Sequence, residues 1–139
     1  MLYKDNPMIV AFPVLKSIGS TYQGIIIPST VNEYQSLTAN VGELRKVTRL
    51  AHSSETYPLI AASKRLLGNY TAIRCVGGWY DSEQEKTIEE NTVFVYTVSE
   101  VLPADAPLIV GLVELAQQIK AELGQDAVLI YLNGEAYLV

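Results

Sequence analysis

Residues 91–98 read NTVFVYTV. Every residue after Asn91 is β-branched or aromatic, and both alternating sets are largely apolar. Such a stretch forms an interior strand covered on both sides. Just upstream, an acidic run ends in two adjacent carboxylates, Glu89 and Glu90, at the start of this strand. Before it, YTAIRCV (70–76) reads as another strand, followed by a Gly77-Gly78 loop carrying Trp79 and Tyr80. Adjacent glycines let a ligand come close to the backbone. Trp79 or Tyr80 can stack on a flat ring or a cation.

Two helices flank this pair. Ser54 is the expected N-cap of the first, with Pro58 in its first turn; Leu59, Ala62, Leu66 and Leu67 form its apolar face and Gly68 ends it. Asp105 is the expected cap of the second, which begins near Pro107. Its stripe is Leu108, Leu112, Leu115, Ile119 and Leu123, and Gly124 closes it. Gln125-Asp126 then leads into a strand at 127–132, an Asn133-Gly134 type I′ turn and a last strand at 135–139.

Nearer the N-terminus, MIVAFPVL (8–15) and YQGIIIPS (22–29) read as strands. Segment 30–50 is one broken helix or an excursion out of the domain, because Gly42 interrupts its helical spacing. The order strand, helix, strand, strand, helix, strand, with a C-terminal strand added, predicts an α/β (α+β) ferredoxin-like domain over residues 1–139. In that arrangement both helices cover one sheet face. The other face then needs a cover, which points to an oligomer.

Composition narrows the function. The 139 residues carry a net charge of −5, with charged residues at only 18%. Nucleic-acid phosphates and anionic membranes call for a basic patch instead. One cysteine, Cys75, and one histidine, His52, make a disulfide impossible and a zinc site or catalytic triad a poor fit, so no metal is expected. No leader pattern and no span-length apolar window is visible, which suits a soluble cytoplasmic protein. The glycines match neither a dinucleotide fingerprint nor a phosphate loop.

The candidate chemistry therefore lies with Glu89, Glu90, the Gly77–Tyr80 stretch and Gln125-Asp126. Strand neighbours point to opposite faces, so only one of the two glutamates faces a given pocket. A partly buried carboxylate there serves as a base, a hydroxyl ligand or a counter-charge for a cation.

Three motifs in order carry a resemblance: Gly78-Trp79-Tyr80, Glu89-Glu90-Asn91-Thr92-Val93, and Gln125-Asp126-Ala127-Val128-Leu129-Ile130-Tyr131. Together they resemble the phage-encoded S-adenosylmethionine hydrolases, better described as lyases, over roughly residues 55–132. The spacing from Tyr80 to the glutamate pair is one residue shorter than in the family, and 16–50 has no counterpart there. The resemblance implies a homotrimer with sites between subunits and cleavage of S-adenosylmethionine to 5′-methylthioadenosine. It also implies depletion of the methyl donor as an anti-restriction activity, with no cofactor. Glu90 and Tyr80 would be catalytic; Gly77, Gly78, Trp79, Glu89, Gln125 and Asp126 would bind substrate. Attack by the substrate's own carboxylate and attack by water both remain open. Two other readings stand beside it: a non-catalytic oligomeric module that sequesters a nucleotide-like ligand, and an acidic inhibitor of a host protein.

Overall fold

The computed structural model describes residue 15, residues 21–36 and residues 44–139. Seven strands and two helices are formed by these residues: β1 (Thr21–Pro28), β2 (Thr30–Ser36), β3 (Leu44–Leu50), α1 (Ser53–Leu67), β4 (Thr71–Asp81), β5 (Lys86–Ser99), α2 (Pro107–Glu122), β6 (Leu129–Leu132) and β7 (Glu135–Leu138). Apart from Leu15, the strand expected at 8–15 lies outside the described residues.

Five strands make one sheet in the order β4-β5-β1-β6-β7, every neighbouring pair antiparallel. The stretch NTVFVYTV lies in β5, between β4 and β1, which is the interior position its two apolar faces predicted. Ile25, Ile27, Val93, Val95 and Ile130 line one face. They pack with Leu59 from α1 and with Leu112, Leu115 and Ile119 from α2 into a single core. Both helices lie on this face, so the fold is mixed α+β with two helices on an antiparallel sheet. Burying one such leucine or isoleucine contributes about 1.5–3 kcal/mol.

The opposite face carries Tyr22, Phe94, Tyr96 and Tyr131. Their rings form one cluster, with Phe94 and Tyr96 stacked at 4.9 Å and Tyr22 tilted on Tyr131 at 5.5 Å. No described element covers these half-buried rings, and Ile73 beside them is 44% exposed.

Within segment 30–50, residues 30–36 and 44–50 are strands, not a helix. β2 and β3 pair along their whole lengths as a separate two-stranded ribbon. The sequence signal was weak because a ribbon is stabilised by cross-strand partners, which local helical spacing does not register. The ribbon is docked at its base: Asn32 N–H donates to Leu123 O at 2.9 Å, Ala51 N–H to Ser29 O at 2.7 Å, and Val31 enters the core.

Helix starts differ from expectation. The cap of α1 is His52, not Ser54, and its backbone N–H donates to Glu55 Oε1 at 2.9 Å. Pro58 therefore sits inside the helix, beyond the first turn. The cap of α2 is Ala106, not Asp105, and no side chain caps it. Pro107 lacks an N–H, so one of the donors a cap would satisfy is missing there. Gly68 and Gly124 end the helices as expected, both with positive φ. The Asn133-Gly134 turn has φ of 51° and 76°, as a type I′ turn requires.

Candidate functional site

β5 pairs with β1 only from Thr92 to Ser99, yet it begins at Lys86. Among the described residues its first part pairs with β4 alone, so residues 77–90 form a hairpin arm that overruns the five-stranded sheet. Asp81 Oδ1 accepts the N–H groups of Glu83 and Gln84 at 2.9 and 3.2 Å and closes its turn. Two sequence expectations are corrected here. Gly77 to Tyr80 are strand residues, not a loop, and Glu89 and Glu90 lie within a strand rather than at its mouth. On a two-stranded arm both faces meet solvent, so acidic residues and glycines do not mark a strand's end.

Glycines oppose both glutamates: Gly77 pairs with Glu90 and Gly78 with Glu89. Antiparallel partners share a face, and neighbours alternate. Glu90 thus shares its face with Gly77 and Trp79, while Glu89 shares the other with Gly78 and Tyr80. Within one chain, Tyr80 and Glu90 lie on opposite faces of the arm. Trp79 and Tyr80 are both exposed, at 55% and 65%.

Glu89 is exposed and Glu90 half-buried. Glu90 Oε2 accepts a hydrogen bond from Thr30 Oγ1 at 2.7 Å. Gln125 Nε2 donates to the carbonyl of the same Thr30, also at 2.7 Å. Residues from two of the sequence motifs therefore meet around a third residue that sequence reading did not single out. Thr30 was hidden in the ambiguous segment, and no local pattern marks it. Asp126 is directed elsewhere: its carboxylate pairs with Lys46 of β3 at 3.2 Å and is largely exposed. Gly124 explains how close this corner is. A Cβ there would collide with the carbonyl of Asn32, and its φ is +60°.

A second tie holds the ribbon to α1. Arg49 of β3 donates to Glu33 of β2 at 3.0 Å and to both carboxylate oxygens of Glu55 at 2.7 and 2.8 Å. The hydrogen bonds from Arg49 and from the His52 backbone hold the Glu55 carboxyl at about 2, well below the usual carboxylate range.

Where β1 ends, a cleft of ≈ 470 Å³ opens between α1 and the sheet. Ile27, Ile60 and Val93 line it with apolar side chains, and Tyr57, Arg74 and Asn91 with polar ones. Its rim residues Ser29 and Asn91 are the chain neighbours of Thr30 and Glu90, and Ser29 Oγ is buried without a hydrogen-bond partner among the described residues. Of these lining residues, Asn91 and Val93 belong to the second sequence motif; Ile27, Ser29, Tyr57, Ile60 and Arg74 were not singled out. Among the described residues no group of three His, Cys, Asp or Glu side chains is placed to hold a metal ion, and no helix is long and apolar enough to cross a membrane.

No protein-family model matches the chain, and no curated protein does. Solved structures do. A phage SAM lyase in complex with S-methyl-5′-thioadenosine is similar over 91% of this chain and 95% of its own, with a TM-score of 0.50 and 14% identity. A phage SAM lyase in the apo state is similar over the same shares, with a TM-score of 0.51 and 14% identity. The resemblance carried by the three motifs is thus matched by a shared fold, and because the match spans 91% of the chain, most of segment 16–50 has a counterpart there, contrary to expectation.

Proposed function

We propose that this protein cleaves S-adenosylmethionine to 5′-methylthioadenosine and homoserine lactone, with Glu90 as the central carboxylate of the site. The observation that carries the reading is the convergence of Glu90 and Gln125, 35 residues apart in sequence, on Thr30 within hydrogen-bonding distance. The shared fold with phage SAM lyases supports it. So does the antiparallel sheet with two helices, whose strand order β6-β1-β5-β4 we read as a ferredoxin-like unit with β7 appended.

The chemistry suits these residues. The substrate is a sulfonium cation that carries its own carboxylate. That carboxylate attacks the γ-carbon, the carbon–sulfur bond breaks, and its electron pair stays on sulfur as a neutral thioether. A lactone ring forms, and water later opens it to homoserine. The step needs no external nucleophile, so the protein's task is to hold a near-attack conformer. Glu90 offsets the sulfonium charge or binds a ribose hydroxyl. Tyr80 contributes a hydroxyl or its ring, and Gly77, Gly78, Trp79 and Glu89 shape the arm around the ligand. If water attacks instead, Glu90 is also the candidate base.

Tyr80 and Glu90 occupy opposite faces of one arm, so a pocket that uses both draws them from two copies. That favours a homotrimer with sites between subunits, assembled through the open aromatic face. In an infected host such an enzyme would deplete the methyl donor that restriction systems need. Paired substitutions test the site. Glu90→Gln should cut methylthioadenosine release from S-adenosylmethionine by about 10²-fold or more, on the scale of losing one general acid–base or electrostatic group. Glu89→Gln should change it several-fold at most. Equal, mild effects in both would remove Glu90 from the site.

A further inference from the structure

We infer that Thr30 is the positioning residue for Glu90, and that Gln125 acts through Thr30 instead of touching the ligand. This rests on the cleavage reading above, and it assigns a role that the sequence motifs do not contain.

Among the described residues Glu90's arm has one neighbouring strand, β4, so its own element does little to fix its carboxylate. Thr30 is fixed from several sides. It begins β2 opposite Leu50, and the preceding carbonyl, that of Ser29, accepts Ala51 N–H at 2.7 Å. Gln125 Nε2 clamps its own carbonyl at 2.7 Å. Two residues on, Asn32 is tied to the end of α2 through Leu123 O at 2.9 Å and Gly124 O at 3.1 Å. The hydroxyl held by this frame donates to Glu90 Oε2 at 2.7 Å, a full-strength hydroxyl hydrogen bond by length.

Among the described residues, only Oε2 is engaged. Glu90 Oε1 has no hydrogen-bond or ion-pair partner among the described residues. One oxygen is therefore anchored and the other is presented, which is how a carboxylate is aimed at a ligand hydroxyl or cation. Gln125 spends one side-chain N–H on Thr30 O and also donates to Leu123 O at 3.2 Å, so its amide nitrogen is committed to the backbone frame.

The test compares Thr30→Val, which keeps the shape and removes the hydroxyl, with Thr30→Ser, which restores it. Thr30→Ala is the fallback should the valine variant fail to fold. Turnover of S-adenosylmethionine and calorimetric affinity for methylthioadenosine are both measured, with thermal melts as the fold control. Thr30→Val should lower kcat about 10-fold or more, as expected for a lost hydrogen bond to a charged group, at an unchanged melting temperature. Thr30→Ser should recover most of the loss. In a Glu90→Gln background, Thr30→Val should add almost nothing, because the two act as one unit. Additive losses in that cycle, or full activity in Thr30→Val, would overturn the inference while leaving the cleavage reading standing. If wild type binds methylthioadenosine without turnover, the same cycle read by affinity decides Thr30. Neither turnover nor binding would overturn both.

Discussion

Gly77 and Gly78 are neighbours in β4 with different constraints. A Cβ on Gly78 would stand 2.7 Å from the carbonyl oxygen of Ile88 and 3.3 Å from Glu89 Cγ, whereas on Gly77 it would meet only Thr92 Cγ2, at an ordinary 3.6 Å. Backbone cannot yield as a side-chain tip can. Gly78→Ala should therefore destabilise the arm by about 1–3 kcal/mol, the usual cost of overpacking, while Gly77→Ala should be nearly neutral in a thermal or urea melt. Comparable losses in both would mean that Gly78 is not set by the strand. The glycine pair was visible in the sequence, but the close approach of the β5 backbone to Gly78 was not. The alternation of Glu89 and Glu90 was legible, because strand geometry alone dictates it. Thr30 was not, since its significance comes from contacts 60 and 95 residues away.

Elements with a strong local period were the readable ones. The apolar stripe of α2, the two helix-ending glycines and the Asn133-Gly134 turn all came from short-range chemistry. The ribbon β2–β3 and the overrun of β4 and β5 depend on pairing partners, so they stayed hidden. The cap of α1 was missed for a related reason: His52 is a weak capping type, and its role depends on Glu55 and on Arg49 from the ribbon. That pair yields a pH signature. The Glu55 carboxyl is depressed from 4.5 to about 2 by Arg49 and the His52 N–H. Its stabilising effect is present in full above about 4.5 and is lost as pH falls towards about 2. The melting-temperature gap between wild type and Glu55→Gln should accordingly be widest near neutral pH and close over that acidic window. A gap constant from pH 7 to 2 would show that the ion pair does not join ribbon to helix in solution.

At the scale of the molecule, one sheet face is packed by two helices and the other presents four clustered aromatic rings. All four rings are half-buried with no described element over them, and contiguous apolar surface of this kind marks an interaction site. Interior strand β5 already signalled this through its two apolar faces. Replacing Tyr96 with Glu should shift the solution mass from the proposed trimer to monomer in sedimentation, with the helix-covered core intact by circular dichroism. A wild-type monomer at micromolar concentration would remove the between-subunit pocket. The central claim is the chemistry, and one measurement reaches it most directly: purified protein incubated with S-adenosylmethionine, with products followed by mass over time. Methylthioadenosine with homoserine lactone appearing before homoserine is the predicted result. Unchanged S-adenosylmethionine at high protein concentration would contradict it.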